Sequence, residues 1–479
     1  MILYSFFLFI IVAVFATFTN WRGGLFMMVI IAALQDPLRK LAPGTPSYFV
    51  IASSPIWFIV LVAAFSKIPH LWANFRASHR LLSASMKIFM ISLIPGALLS
   101  VSYGPGSWKF TILGLLSYGG ILTGWLIGFA FLRDKRDITN LLAFYCLVTA
   151  VMLTGTHIQF LKLAPGWSIL GTDALGMHWI RYTDYGPVDL FAGFYRSPDI
   201  MGWHAVMAAM CSLILGFRER GARRLFWFLV AIWAIGAAML CGRRKMIMML
   251  PLFGIIFSWI YWRAKSATRA VAIAGTLVAI FVVGYTVYNQ FSADEGIEQY
   301  YFRNLGNVPI RVKLQGIDSV IETYRQSGFF GEGPGFAVQG AQNVEGDKPR
   351  TWQEGGFEKI LVELGVPGFL GFLLLAYALI RAILKVIFQQ LSPQSTDFPL
   401  FAGIAAMIIA NMGSFIVSHQ IFGDFFILIF YSFLIGILLS IGRVEAQGRP
   451  SPAAGGLLDS KKWQRPKGLS SGRFSLPAR

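Results

Sequence analysis

Residues 398–440 read FPLFAGIAAMIIANMGSFIVSHQIFGDFFILIFYSFLIGILLS. Two apolar runs, 398–417 and 421–441, meet at the polar trio Ser418-His419-Gln420. Each run is long enough for a helix to cross the roughly 30 Å hydrocarbon layer of a bilayer. Lipid offers the backbone no hydrogen-bond partners, so such runs must satisfy their own N–H and C=O groups as helices. Working outward, comparable runs fall near 1–19, 24–34, 48–66, 86–101, 110–132, 138–156, 200–217, 224–241, 245–262, 270–289 and 357–380. The second is too short to span comfortably; it is either a half-helix or pairs with the first around Asn20-Trp21-Arg22-Gly23, so 12 or 13 transmembrane helices are expected. With 56% of residues apolar and 13% charged, a soluble globular domain is excluded and the class is an all-α polytopic membrane protein.

The net charge of +18 would suit a nucleic-acid partner if it formed one patch. It sits instead in short connectors, 67–87, 133–137, 218–224 and 263–269, each separated from the next by two spans. Positive connectors remain on the cytoplasmic side, so the charge reads as topology and no nucleic acid is expected. That places 157–199, the turn Gly242-Arg243-Arg244-Lys245, the long loop 290–356 and Ser418-His419-Gln420 outside. Four regions follow: membrane helices over 1–289 carrying the outer loop 157–199, the long loop 290–356, further helices over 357–441, and a basic tail, 442–479. Gly, Ser, Pro, Lys and Arg dominate the tail without apolar periodicity, so disorder against anionic membrane lipid is expected. Residues 1–19 lack a basic leader and a small-residue cleavage site, which reads as a retained anchor. Cys146, Cys211 and Cys241 lie in apolar runs and read as small buried hydrophobes.

One turn breaks the charge rule: Arg243, Arg244 and Lys245 cluster on the side where positive charge is avoided. They either bind something or reach to outer-leaflet headgroups. In the long loop Ile310, Leu314, Ile317, Ile321 and Tyr324 recur at helical spacing, with Arg311, Asp318, Glu322 and Arg325 on the opposite side. This predicts an amphipathic helix lying on the membrane surface or capping the bundle. Ser327-Gly328 ends it, and Gly331, Gly333, Pro334 and Gly335 follow, glycines that would let backbone approach a substrate. The loop leaves through Thr351-Trp352-Gln353-Glu354-Gly355-Gly356-Phe357-Glu358. The outer surface thus collects Arg196, Asp199, His204, Arg243, Arg244, Arg311, Arg325 and Glu354. Grouped guanidinium groups bind phosphate in bidentate geometry and can neutralise a pyrophosphate leaving group without a metal. Each arginine taken singly is equally compatible with a structural ion pair, as Arg325 is with Glu322. Glu363, one turn into the span after the loop, His204 and Asp424 are either interior hydrogen-bonding groups or functional ones. No DxD, Walker A, HExxH or GxSxG motif is present, which turns attention away from nucleotide-driven and zinc chemistry.

Several of these stretches resemble the O-antigen ligase/polymerase superfamily of bacterial envelope proteins. Gln35-Asp36-Pro37-Leu38-Arg39-Lys40 resembles an early motif of one branch, and Arg196-Ser197-Pro198-Asp199 with Gly202 resembles the family's Pro-Asn…Gly span start, with Asp for Asn. Gly242-Arg243-Arg244 is similar to its Ser-Arg turn, and Arg311 followed by Gly328 and Gly331-Glu332-Gly333-Pro334-Gly335 to its Arg…Gly-x-Gly-x-Gly pattern. Glu354 through Leu361-Val362-Glu363-Leu364-Gly365 resembles the loop exit, with Glu354-Gly355 where ligases carry His-Asn.

The resemblance implies a GT-C-like helical bundle with periplasmic loop helices in the bacterial inner membrane. It further implies a metal-independent, inverting glycosyltransferase with no cofactor, acting on undecaprenyl-pyrophosphate-linked glycans as donor and acceptor. Arg243, Arg244 and Arg311 would hold pyrophosphate, Arg196, Asp199 and Arg325 would complete the binding surface, and Glu354 would replace the family histidine as base or as an orienting group. The lost His-Asn pair favours a polymerase of exopolysaccharide or O-antigen repeat units over a ligase, with a chain-length-determining or export protein as partner. A lipid-linked glycan flippase is the alternative of a different class; it calls for ionisable residues inside the spans near the midplane.

Overall fold

The computed structural model describes residues 2–291 (save 105, 184, 185 and 265), 314, 318–337, 353 and 355–448. Helix α1 (Ile2–Thr19) turns at Asn20 into α2 (Trp21–Leu41), and the Asn20 side chain caps α2 by accepting from the Gly23 N–H. Then come α3 (Ser54–Lys67), α4 (Leu71–Ser78), α5 (Arg80–Val101), α6 (Trp108–Phe131), α7 (Lys135–Phe160) and, after an outer loop, α8 (Pro198–Arg218). The remainder comprises α9 (Ala222–Leu240), α10 (Arg244–Arg263), α11 (Ala267–Phe291), α12 (Ser319–Ser327), α13 (Gly356–Lys385), α14 (Phe398–Val417) and α15 (Phe425–Gly448). The outer loop between α7 and α8 holds a two-stranded antiparallel hairpin, Ile180–Thr183 with Gly186–Asp189, the one departure from helix among the described elements.

Ten helices among the described residues are long and apolar enough to cross a membrane, so the chain is an all-α polytopic membrane protein. The expected spans beyond those ten are α1, α2 and α11, each present as a helix. The expectation of a half-helix near 24–34 needs correction: α2 is a continuous helix of 21 residues, about 31 Å at 1.5 Å per residue. Its apolar run is short because its last turns carry Gln35, Asp36 and Lys40, polar side chains buried against protein. The tail boundary also shifts, since α15 continues to Gly448; 449–479 lie outside the described residues.

At the centre of the bundle are α8, with 94% of its span buried, and α15, with 89%; α5, at 33%, faces outward. Lipid tails are as apolar as leucine, so helices in a bilayer associate through close packing and polar contacts. Along α6, Gly124 and Gly128 let α15 approach so closely that a Cβ on Gly128 would stand 2.0 Å from the Phe433 carbonyl oxygen.

The basic connectors converge at one end of this bundle. Lys135 and Arg218 both pair with Asp397, at 3.2 and 3.0 Å. Arg22 donates to the Ala130 and Phe131 carbonyls, Lys67 to those of Phe18 and Thr19, and Arg443 to those of Phe129 and Leu132. The opposite, long-loop end carries the loop 161–197, the turn at Gly242, the segment 418–424 and the described parts of the long loop.

Candidate functional site

Residues 418–424, the polar break between the last two spans, are where three polar networks meet. In the first, Arg196 lies between Asp36 at the end of α2 and Asp424 at the start of α15. Its Nη1 is 3.2 Å from Asp36 Oδ1 and its Nη2 2.7 Å from Asp424 Oδ2, and Nη2 also donates to the Gly423 carbonyl. Asp36 accepts the Arg196 backbone N–H as well, and Asp424 accepts from Gln35 and caps α15 through the Ile427 N–H. Lys40 donates to the carbonyls of Ile169, Gly193 and Tyr195, pinning the outer loop to the end of α2. The polar motif from Gln35 to Lys40 therefore grips the backbone that presents Arg196. Burial alone would lower the Arg196 pKa; the two carboxylates outweigh it and raise the pKa above the ordinary arginine value. Ion pairing inside the protein occupies this guanidinium.

Three residues later comes Asp199, in the first turn of α8, which Ser197 caps by accepting from the Ile200 N–H and Pro198 starts. Its carboxylate takes two cations from the α9–α10 turn: Arg243 Nη2 at 2.7 Å and Lys245 Nζ at 3.4 Å. Lys245 also donates to Ser418 Oγ at 2.8 Å, and the Arg243 guanidinium lies 5.5 Å from the Trp179 ring centre of the hairpin loop. Arg243, Arg244 and Lys245 are all half-buried at the head of α10, which no side chain caps. Arg243 and Lys245 thus share one carboxylate at a helix N-terminus, where the partial positive charge of the helix already points outward.

The third network lies in the first two turns of α13. Glu363 accepts from Lys359 Nζ and the Tyr118 hydroxyl, both at 2.5 Å, and from the Ala337 backbone N–H at 2.9 Å. Lys359 and Glu363 have no exposed side-chain surface, and the Lys359 ammonium is 5.2 Å from the Phe422 ring centre. Beside them α13 breaks at Gly365 (φ 62°), and the segment 329–333 fills the break: Val366 N–H donates to the Phe329 carbonyl, Glu332 N–H to Val362 and Gly333 N–H to Glu363. The loop glycines thus serve packing against protein. A Cβ on Gly335 would stand 1.9 Å from the Phe110 carbonyl oxygen, so only glycine lets the loop lie on α6.

The remaining expected residues divide clearly. Arg325 pairs with Glu322 at 3.5 Å on the exposed face of α12, apart from the three networks. The described members of the apolar stripe, Leu314, Ile321 and Tyr324, are exposed; 310, 311 and 317 lie outside the described residues, as does the expected base Glu354. His204 is a buried hydrogen-bonding group, 3.0 Å from the Tyr145 hydroxyl and stacked on Tyr195 and Phe426. The three cysteines are buried and free. Sequence reasoning missed Lys359, Tyr118 and the Asp36–Arg196 pairing. The i, i+4 spacing of Lys359 and Glu363 was the available signal for the first; the others join residues far apart in the chain. Comparison with known protein families finds no matching model, and comparison with curated proteins finds no match.

Proposed function

We propose that this is a polymerase of undecaprenyl-pyrophosphate-linked oligosaccharide repeat units at the periplasmic face of a bacterial inner membrane. What supports the reading is the run of three half-buried cations, Arg243, Arg244 and Lys245, at the head of α10, where the bundle meets the long loop. A pyrophosphate held by Arg243, Arg244 and Lys245 would carry its lipid tail down between the helices and present its sugar to the loop. In the transfer step an acceptor hydroxyl attacks the sugar's anomeric carbon from the side opposite the pyrophosphate. The new C–O bond forms as the bond to pyrophosphate breaks, the acceptor proton passes to a base, assigned to Glu354, and the cations take up the charge of the leaving group. In this reading Asp199 orients Arg243 and Lys245, and Arg196 holds the scaffold.

The test is deletion of the gene followed by analysis of cell glycans. A polymerase leaves outward-facing single repeat units on the lipid carrier and no long polymer; a ligase leaves long polymer on the carrier. Arg243→Ala and Glu354→Gln should each abolish polymer at normal protein level. Unchanged chain lengths in both would sink the assignment. One observation favours a second reading, lipid-linked glycan transport: a broken helix beside the buried Lys359–Glu363 pair is a feature of transporter spans. Transport predicts repeat units trapped on the cytoplasmic side after deletion.

A further inference from the structure

At the end opposite the long loop, a cavity of about 900 Å³ opens between the end of α8, the starts of α9 and α11, the end of α10 and the segment 393–399. Five charged groups besides Arg218 line it, and their pairing is lopsided. Its acids are engaged: Asp397 by Lys135 at 3.2 Å and Arg218 at 3.0 Å, and Glu219 by Arg218 at 3.8 Å. Three exposed arginines on its wall, Arg220, Arg224 and Arg269, have no ion-pair partner among the described residues. Arg224 is held in place 5.4 Å from the Phe228 ring centre. The floor is apolar, with buried Tyr261 and Phe398 stacked edge to face at 4.9 Å. Three guanidinium groups over an apolar floor at the ends of spans match an anionic headgroup with its chains descending beside the helices. Guanidinium suits the phosphate oxygens, and basic pockets between membrane helices bind such headgroups.

We infer that this cavity is a binding site for a phosphate-bearing ligand, supplied by an anionic phospholipid of the adjoining leaflet. The site is independent of the proposed polymerase chemistry, which lies at the other end of the bundle. A diffuse attraction of basic connectors to lipid would spread over all exposed cations of that end, including Arg76, Arg80 and Arg136. A built site confines the effect to three residues.

The experiment measures lipid binding to the full-length protein in nanodiscs, by lipid retention in native mass spectrometry and by thermal stability. Discs of phosphatidylcholine alone are compared with discs containing phosphatidylglycerol, and inorganic phosphate is titrated separately. The wild type should retain phosphatidylglycerol, and Arg220→Gln/Arg224→Gln/Arg269→Gln should weaken retention by about 100-fold, at roughly fivefold for each cation. Arg76→Gln/Arg80→Gln/Arg136→Gln removes the same total charge and should leave retention near wild type. Stabilisation by inorganic phosphate in phosphatidylcholine discs, lost in the cavity triple alone, would support the phosphate site and assign its source to solution. Equal losses in both triples, or no retention by the wild type, would overturn the proposal; because all variants are exposed arginines, a fold defect would show as lowered stability in phosphatidylcholine discs as well, and the single variants Arg220→Gln and Arg269→Gln then carry the comparison.

Discussion

At the scale of the residue, the interior of this protein holds charges that a lipid-facing helix would not tolerate. Lys359 and Glu363 are buried together, and Tyr118 and the Ala337 N–H satisfy the rest of the carboxylate. Removing one partner of such a pair strands a charge in low dielectric, whereas replacing both with apolar side chains is close to neutral. Glu363→Ala should therefore destabilise the folded protein by about 3–5 kcal/mol, and Lys359→Met/Glu363→Leu should recover much of that loss. Thermal unfolding in detergent measures both; a double variant as unstable as the single one would show that the pair does not act as a unit. Glu363 was legible as an ionisable residue in a span, but its carboxylate's three partners come from α13, α6 and the long loop, and only the first is near in sequence.

Among the elements, the glycine-rich segment 331–336 makes the least obvious contribution. Read along the chain, its glycines mark a turn; folded, they seat the loop in the break of α13 at Gly365 and against α5 and α6. Two substitutions separate conformational freedom from close approach. Gly328 has φ 70° and ψ −168° with open space around it, so Gly328→Ala should cost only the strain of a backbone region that is essentially glycine's own, about 1–3 kcal/mol. Gly335 combines φ 95° with a Phe110 carbonyl oxygen that an added Cβ would meet at 1.9 Å, so Gly335→Ala should undock the segment. Hydrogen exchange at residues 331–337 should rise sharply in Gly335→Ala and little in Gly328→Ala; equal rises would mean that the contact with α6 is not what holds the loop.

For the whole molecule, the charge rule and the packing agree on which connectors share an end: 133–137, 218–224 and 393–397 meet through Asp397 and the cavity beside it. Their placement in the cytoplasm yields a topological prediction. The native cysteines are buried, so labelling by a membrane-impermeant maleimide should start from a low background. His178→Cys, in the outer hairpin loop, should label in intact spheroplasts, and Ser392→Cys only after permeabilisation. The reverse pattern would invert the orientation and remove the polymerase site from the periplasm.

The sequence alone determined the class, because apolar runs of span length have no stable form in lipid except the helix and their basic connectors are local signals. It also marked Arg243, Arg244 and Lys245, whose oddity was their position against that rule. Tertiary structure alone decided which charges are committed. Arg196 and Arg243 look alike in the chain, yet the first is closed between Asp36 and Asp424 while the second shares a single carboxylate, Asp199, with Lys245. That difference rests on contacts between residues up to 228 positions apart, and no local pattern encodes them. The break between the last two spans, a mere turn along the chain, becomes the place where the three networks meet because folding brings α2, α8, α10 and α13 to it.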